Sequence, residues 1–117
     1  MAEEKTEKKE KQDPNALVAQ FQILQQQLQN VLIQKETVNM SIMEIDRAVE
    51  ELNKSKESEA YKITGTVMVK KSVEYLKKEL GESKEAMQII LKSVERSEKI
   101  LTDKLKELQS KLQEIMK

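Results

Sequence analysis

Cysteine, histidine and tryptophan are absent from this 117-residue chain, and proline occurs once, at Pro14. Without cysteine there is no disulfide framework and no thiolate nucleophile; without histidine the commonest general base and the commonest metal ligand are gone. No nucleotide, metal or nucleophile motif replaces them, so no catalytic residue, cofactor or metal site is expected and the chain does not read as an enzyme. Glycine is scarce as well, at Gly65 and Gly81 only, and the 103 residues that follow Pro14 contain no further proline. A sequence so poor in breakers favours long helices over a loop-rich or all-β fold. Aromatic residues, Phe21, Tyr61 and Tyr75, make up 3% against 36% charged residues, which leaves too few bulky side chains for the core of an ordinary compact domain.

An excess of either charge is missing too. The 21 Lys+Arg balance 21 Asp+Glu, and only Arg47 and Arg96 are arginine, so no net field draws in a polyanion and nucleic acid is not an expected partner. The longest uncharged run, Pro14 to Gln34, holds seven glutamines and two asparagines in 21 residues. It is too polar for a membrane span, and no membrane partner is expected. Met1 to Lys11 alternates Lys and Glu with no apolar stretch resembling a secretory signal, which predicts a cytoplasmic chain.

What the sequence does contain is a heptad seam. Residues 1–12 have nothing to bury and read as a disordered charged tail; residues 13–117 read as one domain of helix 13–54, β-hairpin region 55–71 and helix 72–117. Asp13-Pro14 supplies an N-cap acceptor followed by proline at the first helical position. From there Leu17, Phe21, Leu24, Leu28, Val31, Val38, Ile42, Ile45, Val49 and Leu52 step by four and three, with Lys35 filling one site. After Ser72, a second cap, a similar seam runs through Val73, Leu76, Leu80, Met87, Ile90, Val94, Leu101, Leu105, Leu108, Leu112 and Ile115. Ser83 and Ser97 occupy seam sites in it, and a stutter lies between Val94 and Leu105. Gly81 marks a kink point. Between the seams, Ala60-Tyr61-Lys62-Ile63-Thr64 and Thr66-Val67-Met68-Val69-Lys70 flank Gly65 and predict a β-hairpin. The expected fold is therefore mainly α: a long antiparallel two-helix coiled-coil hairpin with one β-hairpin between the helices.

Pairing the seams antiparallel gives a constant register in which partners sum to 125, from Leu52 with Val73 to Leu24 with Leu101. It leaves Leu112, Ile115 and Met116 overhanging the first helix, beside Leu17, Val18, Phe21, Ile23, Leu24 and Leu108. Exposed Leu or Ile side chains are worth ~1.5–3 kcal/mol each on burial, so this contiguous sticky tip invites another chain. At the other end a lone two-stranded hairpin is marginal in water, and its open edges should pair with other subunits.

The run Ala60-Tyr61-Lys62-Ile63-Thr64-Gly65-Thr66-Val67-Met68-Val69-Lys70-Lys71, between a Gln-rich helix and a Lys/Glu-rich one, resembles the β-type subunit of the prefoldin family, most closely its archaeal members. Met68 stands where leucine is usual in that family. The resemblance implies a hexamer of two α-type and four β-type subunits, hairpins joined into a double β-barrel, and coiled-coil tips that hold non-native client proteins and pass them to a group II chaperonin without ATP. On this basis Tyr61, Ile63, Gly65, Val67, Met68 and Val69 are the candidate assembly residues, and the tip residues are the candidate client site. The competing reading is a structural coiled-coil tether with one defined partner; it gives no reason for a β-element between the helices.

Overall fold

The computed structural model describes residues 13–115, so the expected charged tail and Met116 lie outside the described residues. Helix α1 spans Pro14–Lys54, strands β1 and β2 span Glu59–Thr64 and Val67–Ser72, and helix α2 spans Val73–Ile115. This is the mainly α architecture expected from the two seams and the β-branched run between them.

Local chemistry sets each boundary. The Asn15 amide donates to Asp13 Oδ1 at 3.0 Å, satisfying one of the N-terminal amides that no helical carbonyl can reach. At the far end of α1 the Ser55 amide bonds the Glu51 carbonyl, and Ser55 Oγ then accepts from the Glu57 amide at 3.1 Å, turning the chain out of the helix. Ser72 Oγ accepts from the Tyr75 amide at 3.1 Å, and Glu74 sits in the first turn of α2, where the helix dipole favours a carboxylate. The two strands pair antiparallel with Ile63 opposite Met68 and Tyr61 opposite Lys70. A two-residue turn joins them, and Gly65 at its first position has φ +61° while among the described residues no other residue type has positive φ. That is the type II′ geometry whose twist matches the strands, and it needs glycine there.

The described residues form two compact units, one of residues 13–34 with 94–115 and one of residues 35–93. In the first, Leu17, Val94 and Leu108 are buried; in the second, Val38, Val73 and Leu76 are. Every one of the eleven expected seam positions of α1, Lys35 included, is buried or half-buried. The stripe of α2 departs from expectation. Ile90 and Ser97 are exposed, with Leu91 and Glu98 in their places, and the last expected seam residue, Ile115, is exposed too. The stripe then runs Met87, Leu91, Val94, Glu98, Leu101, Leu105, Leu108, Leu112 without a slip, so no stutter lies between Val94 and Leu105. The consecutive four-residue steps fall instead at Ser83, Met87 and Leu91.

In both units the helices run antiparallel: Leu24 shares a groove with Lys104 and Leu108, Val31 with Ser97 and Leu101, and Leu52 with Leu76 and Leu80. An a/d stripe repeats itself after three or four residues, so hydrophobicity alone does not choose between neighbouring registers.

Helix α2 passes through Gly81 unbroken, and a Cβ added there meets nothing within 4 Å. Gly81→Ala should therefore stabilise the chain by about 1 kcal/mol through helix propensity and the smaller entropy of the unfolded state. Thermal unfolding followed by circular dichroism checks this; an unchanged or lower midpoint would mean that α2 needs glycine at this point.

Candidate functional site

Two surfaces collect the residues singled out from the sequence. The first is the β-hairpin. Side chains alternate across a strand, so the observed pairing places Tyr61, Ile63, Met68 and Lys70 on one face and Ala60, Lys62, Thr64, Val67, Val69 and Lys71 on the other. Tyr61 is 62% exposed and Ile63 71% exposed, with Met68 and Val67 close behind and Val69 least so. The two strands thus expose apolar side chains and leave both sheet edges without a partner strand among the described residues.

The second face of the hairpin is tied to α2. Lys62 Nζ donates to Glu79 Oε1, and this carboxylate raises the Lys62 ammonium above its ordinary pKa. Lys71 lies over the Tyr75 ring at 4.9 Å from its centroid, a cation–π contact that holds the end of β2 against the first turn of α2. The Val73 amide also donates to the Ser58 carbonyl at 2.9 Å. Beneath the hairpin a groove of about 330 Å³ opens between Ala48 and Leu52 of α1, Ala60 of β1, and Leu76 and Leu80 of α2. Glu79 Oε2 is buried there with no hydrogen-bond partner.

The second surface belongs to the unit that contains both the start of α1 and the end of α2. Of the nine residues named for it, Leu17 and Leu108 are buried at 4% and 6% exposure and belong to the seam. Phe21, Leu24 and Leu112 are half-buried in that seam, while Val18, Ile23 and Ile115 are exposed. Leu112 is thus not a free overhang, since its side chain is half-buried. Nearby, Lys104, Glu107 and Lys111 flank Leu24 and Gln20 along a shallow groove, giving the exposed apolar residues a polar margin. Sequence reasoning passed over Ile100, which is exposed beside a second groove with Val31 and Leu101. Its signal was an isoleucine immediately off the seam, overshadowed by Leu101. Ile90 moves the other way, from expected seam filler to surface.

Among the described residues no group of three or more acidic side chains is placed to hold a metal ion, and no helix is long and apolar enough to cross a membrane. The chemistry on offer is apolar contact and strand pairing.

Known proteins match this arrangement over most of its length. A family model described as "Prefoldin subunit" matches residues 15–117. The prefoldin subunit beta of Archaeoglobus fulgidus is 42% identical over 101 residues, 86% of this chain and 87% of that protein. That of Thermococcus onnurineus is 40% identical over 99 residues, 84% and 85% of the two chains. The crystal structure of the prefoldin beta subunit from Thermococcus strain KS-1 superposes with a TM-score of 0.80 at 35% identity, covering 86% of this chain and 90% of that one.

Proposed function

Since the chain belongs to the prefoldin family, we propose that it is the β-type subunit of an ATP-independent holdase. Members of the family have a chaperone-type role and form hetero-oligomers of α and β subunits. In the proposed mechanism the hairpin unit assembles with an α-type subunit and further copies of this chain into a hexamer of two α and four β subunits. The unit carrying Val18, Ile23 and Ile115 takes hold of non-native proteins in the cytoplasm and releases them to a group II chaperonin.

The observation that carries this reading is the hairpin itself. Tyr61, Ile63 and Met68 stand exposed on one face of an unpaired two-stranded sheet set between two long helices. A coil that merely joins two partners gains nothing from such an element, whereas an oligomer gains strand pairing along both edges and burial of the apolar face. Capture by dispersed Val and Ile side chains needs no lock-and-key fit, so it suits clients that share only exposed hydrophobic surface.

Light scattering of a denatured client diluted without nucleotide tests the holdase function directly, with mass measurement of the same sample. The chain combined with an α-type subunit should form a mixed hexamer and suppress client aggregation, and added chaperonin should then recover folded client. A monodisperse mixed complex that leaves aggregation unchanged for several clients would overturn the holdase reading.

A further inference from the structure

The groove beneath the hairpin is too well defined in charge to be simple packing slack. Between its apolar walls, Leu52, Leu76 and Leu80, two of the smallest side chains available, Ala48 and Ala60, leave the space unfilled. Its charged lining is Glu51, Glu79 and Lys62, one negative charge in excess, and Tyr61 borders it as well. Lys62 satisfies only Oε1 of Glu79; Oε2 is shielded from water and has no donor. A shielded carboxylate oxygen without a donor is unfavourable, and it is relieved by a group that brings an N–H into the groove. An apolar passage leading to an acid suits a side chain with a long aliphatic stem and a cationic tip.

We propose that this groove receives Lys70 from the hairpin of a second copy of the chain. Of the three hairpin lysines, Lys62 is bound to Glu79 and Lys71 lies over Tyr75. Lys70 has only Glu59, at 3.8 Å, outside hydrogen-bond distance, and its side chain is mostly in solvent. It also shares its face with Tyr61, Ile63 and Met68, so whatever covers that apolar face brings Lys70 into the contact. The interaction is heterologous: Lys70 of one copy enters the groove of the next, and the lysine of the second copy remains available to a third. It follows that one hairpin carries both halves of a repeating joint, a key on the outer face and a keyhole on the inner one. The inference rests on the hairpin being the assembly element.

Carbodiimide cross-linking of the assembled complex tests it, because the reagent joins a carboxylate to an amine only where the two touch. Equal amounts of ¹⁴N and ¹⁵N chain are assembled with the α-type subunit. A Lys62→Arg substitution in both keeps the charge while removing the competing amine within each chain. The expected product is a Glu79–Lys70 peptide of mixed isotope composition, absent from Glu79→Gln. Lys70→Met should weaken association between copies roughly tenfold, as for loss of one partner of a partly desolvated charge pair, with helicity unchanged. An intact complex that yields mixed-isotope links between hairpins but none at Glu79 overturns the proposal and leaves the assembly reading standing. Failure of the chain to assemble at all overturns both.

Discussion

Ile63→Asp is expected to abolish the oligomer while leaving the two helices folded. Ile63 is the most exposed large apolar residue among the described residues, and it lies on the hairpin face opposite Lys62, next to Tyr61 and opposite Met68. A carboxylate there costs the separated chain little, because water still reaches it. Buried in an apolar contact between subunits, an unpaired charge costs about 3 kcal/mol or more, over a hundredfold in association. Size-exclusion chromatography with light scattering should show the mixed oligomer replaced by free subunits, with the helical circular dichroism signal unchanged. An oligomer of full mass in the variant would show that subunits join through some surface other than this face. Val67→Asp and Val69→Asp probe the opposite face, where Val69 is only 37% exposed; a loss of assembly there would mean that both faces are covered.

The second large effect concerns client capture. Replacing Val18, Ile23 and Ile115 together by serine removes the exposed apolar residues named for client capture, leaves Leu32, Ile33 and Ile100 of the same unit, and keeps the buried seam, Leu17, Val94 and Leu108, in place. Secondary structure and subunit assembly should be unaffected. Protection of a denatured client should nevertheless fall to near background, because each subunit contributes only weak apolar contacts. Several subunits acting on one chain multiply such weak contacts ~10²–10⁴-fold, and the same multiplication works in reverse when each contact is weakened. The readout is client light scattering across a titration of wild-type and triple-variant complexes. Undiminished protection would move the capturing surface elsewhere, to residues such as Leu32, Met40 and Met43, which are also exposed.

Helix α1 was legible residue by residue because its apolar seam residues keep the four-and-three spacing without a slip on both sides of Lys35, even where apolar neighbours such as Val18, Ile23 and Leu32 lie beside them. Lys35 was read there against its chemistry, from spacing alone, and it is half-buried. In α2 the same logic failed at two sites for different reasons. Ile90 and Leu91 are adjacent and equally apolar, so only the phase of the helix decides between them. At the other site, spacing alone placed Ser97 in the seam beside Glu98. Yet a glutamate can lay its methylenes along an apolar stripe and turn its carboxylate outward, and Glu98 is half-buried. Once both are corrected, the irregular step moves beside Gly81. The hairpin was legible from β-branched residues around Gly65, whose positive φ confirms the turn that glycine implied. The groove under it was not, because Ala48, Ala60 and Glu79 come from three elements and none stands out in its own segment. The client residues were proposed as one patch; burial separates seam members such as Leu17 and Leu108 from surface ones such as Ile23.

The placement of the three aromatic rings has a practical consequence. Tyr61 and Tyr75 both belong to the unit of residues 35–93, Phe21 to the other, and tryptophan is absent. Ultraviolet emission excited near 280 nm therefore arises from the hairpin unit alone. Tyr61 emits from the outer face and Tyr75 from beneath a lysine ammonium. The chain thus carries a built-in optical reporter of its β-element, silent to whatever happens at Val18, Ile23 and Ile115. A single tryptophan placed at Phe21 would add a second, spectrally separate channel, so that joining of subunits and seizure of a client can be timed independently in one cuvette.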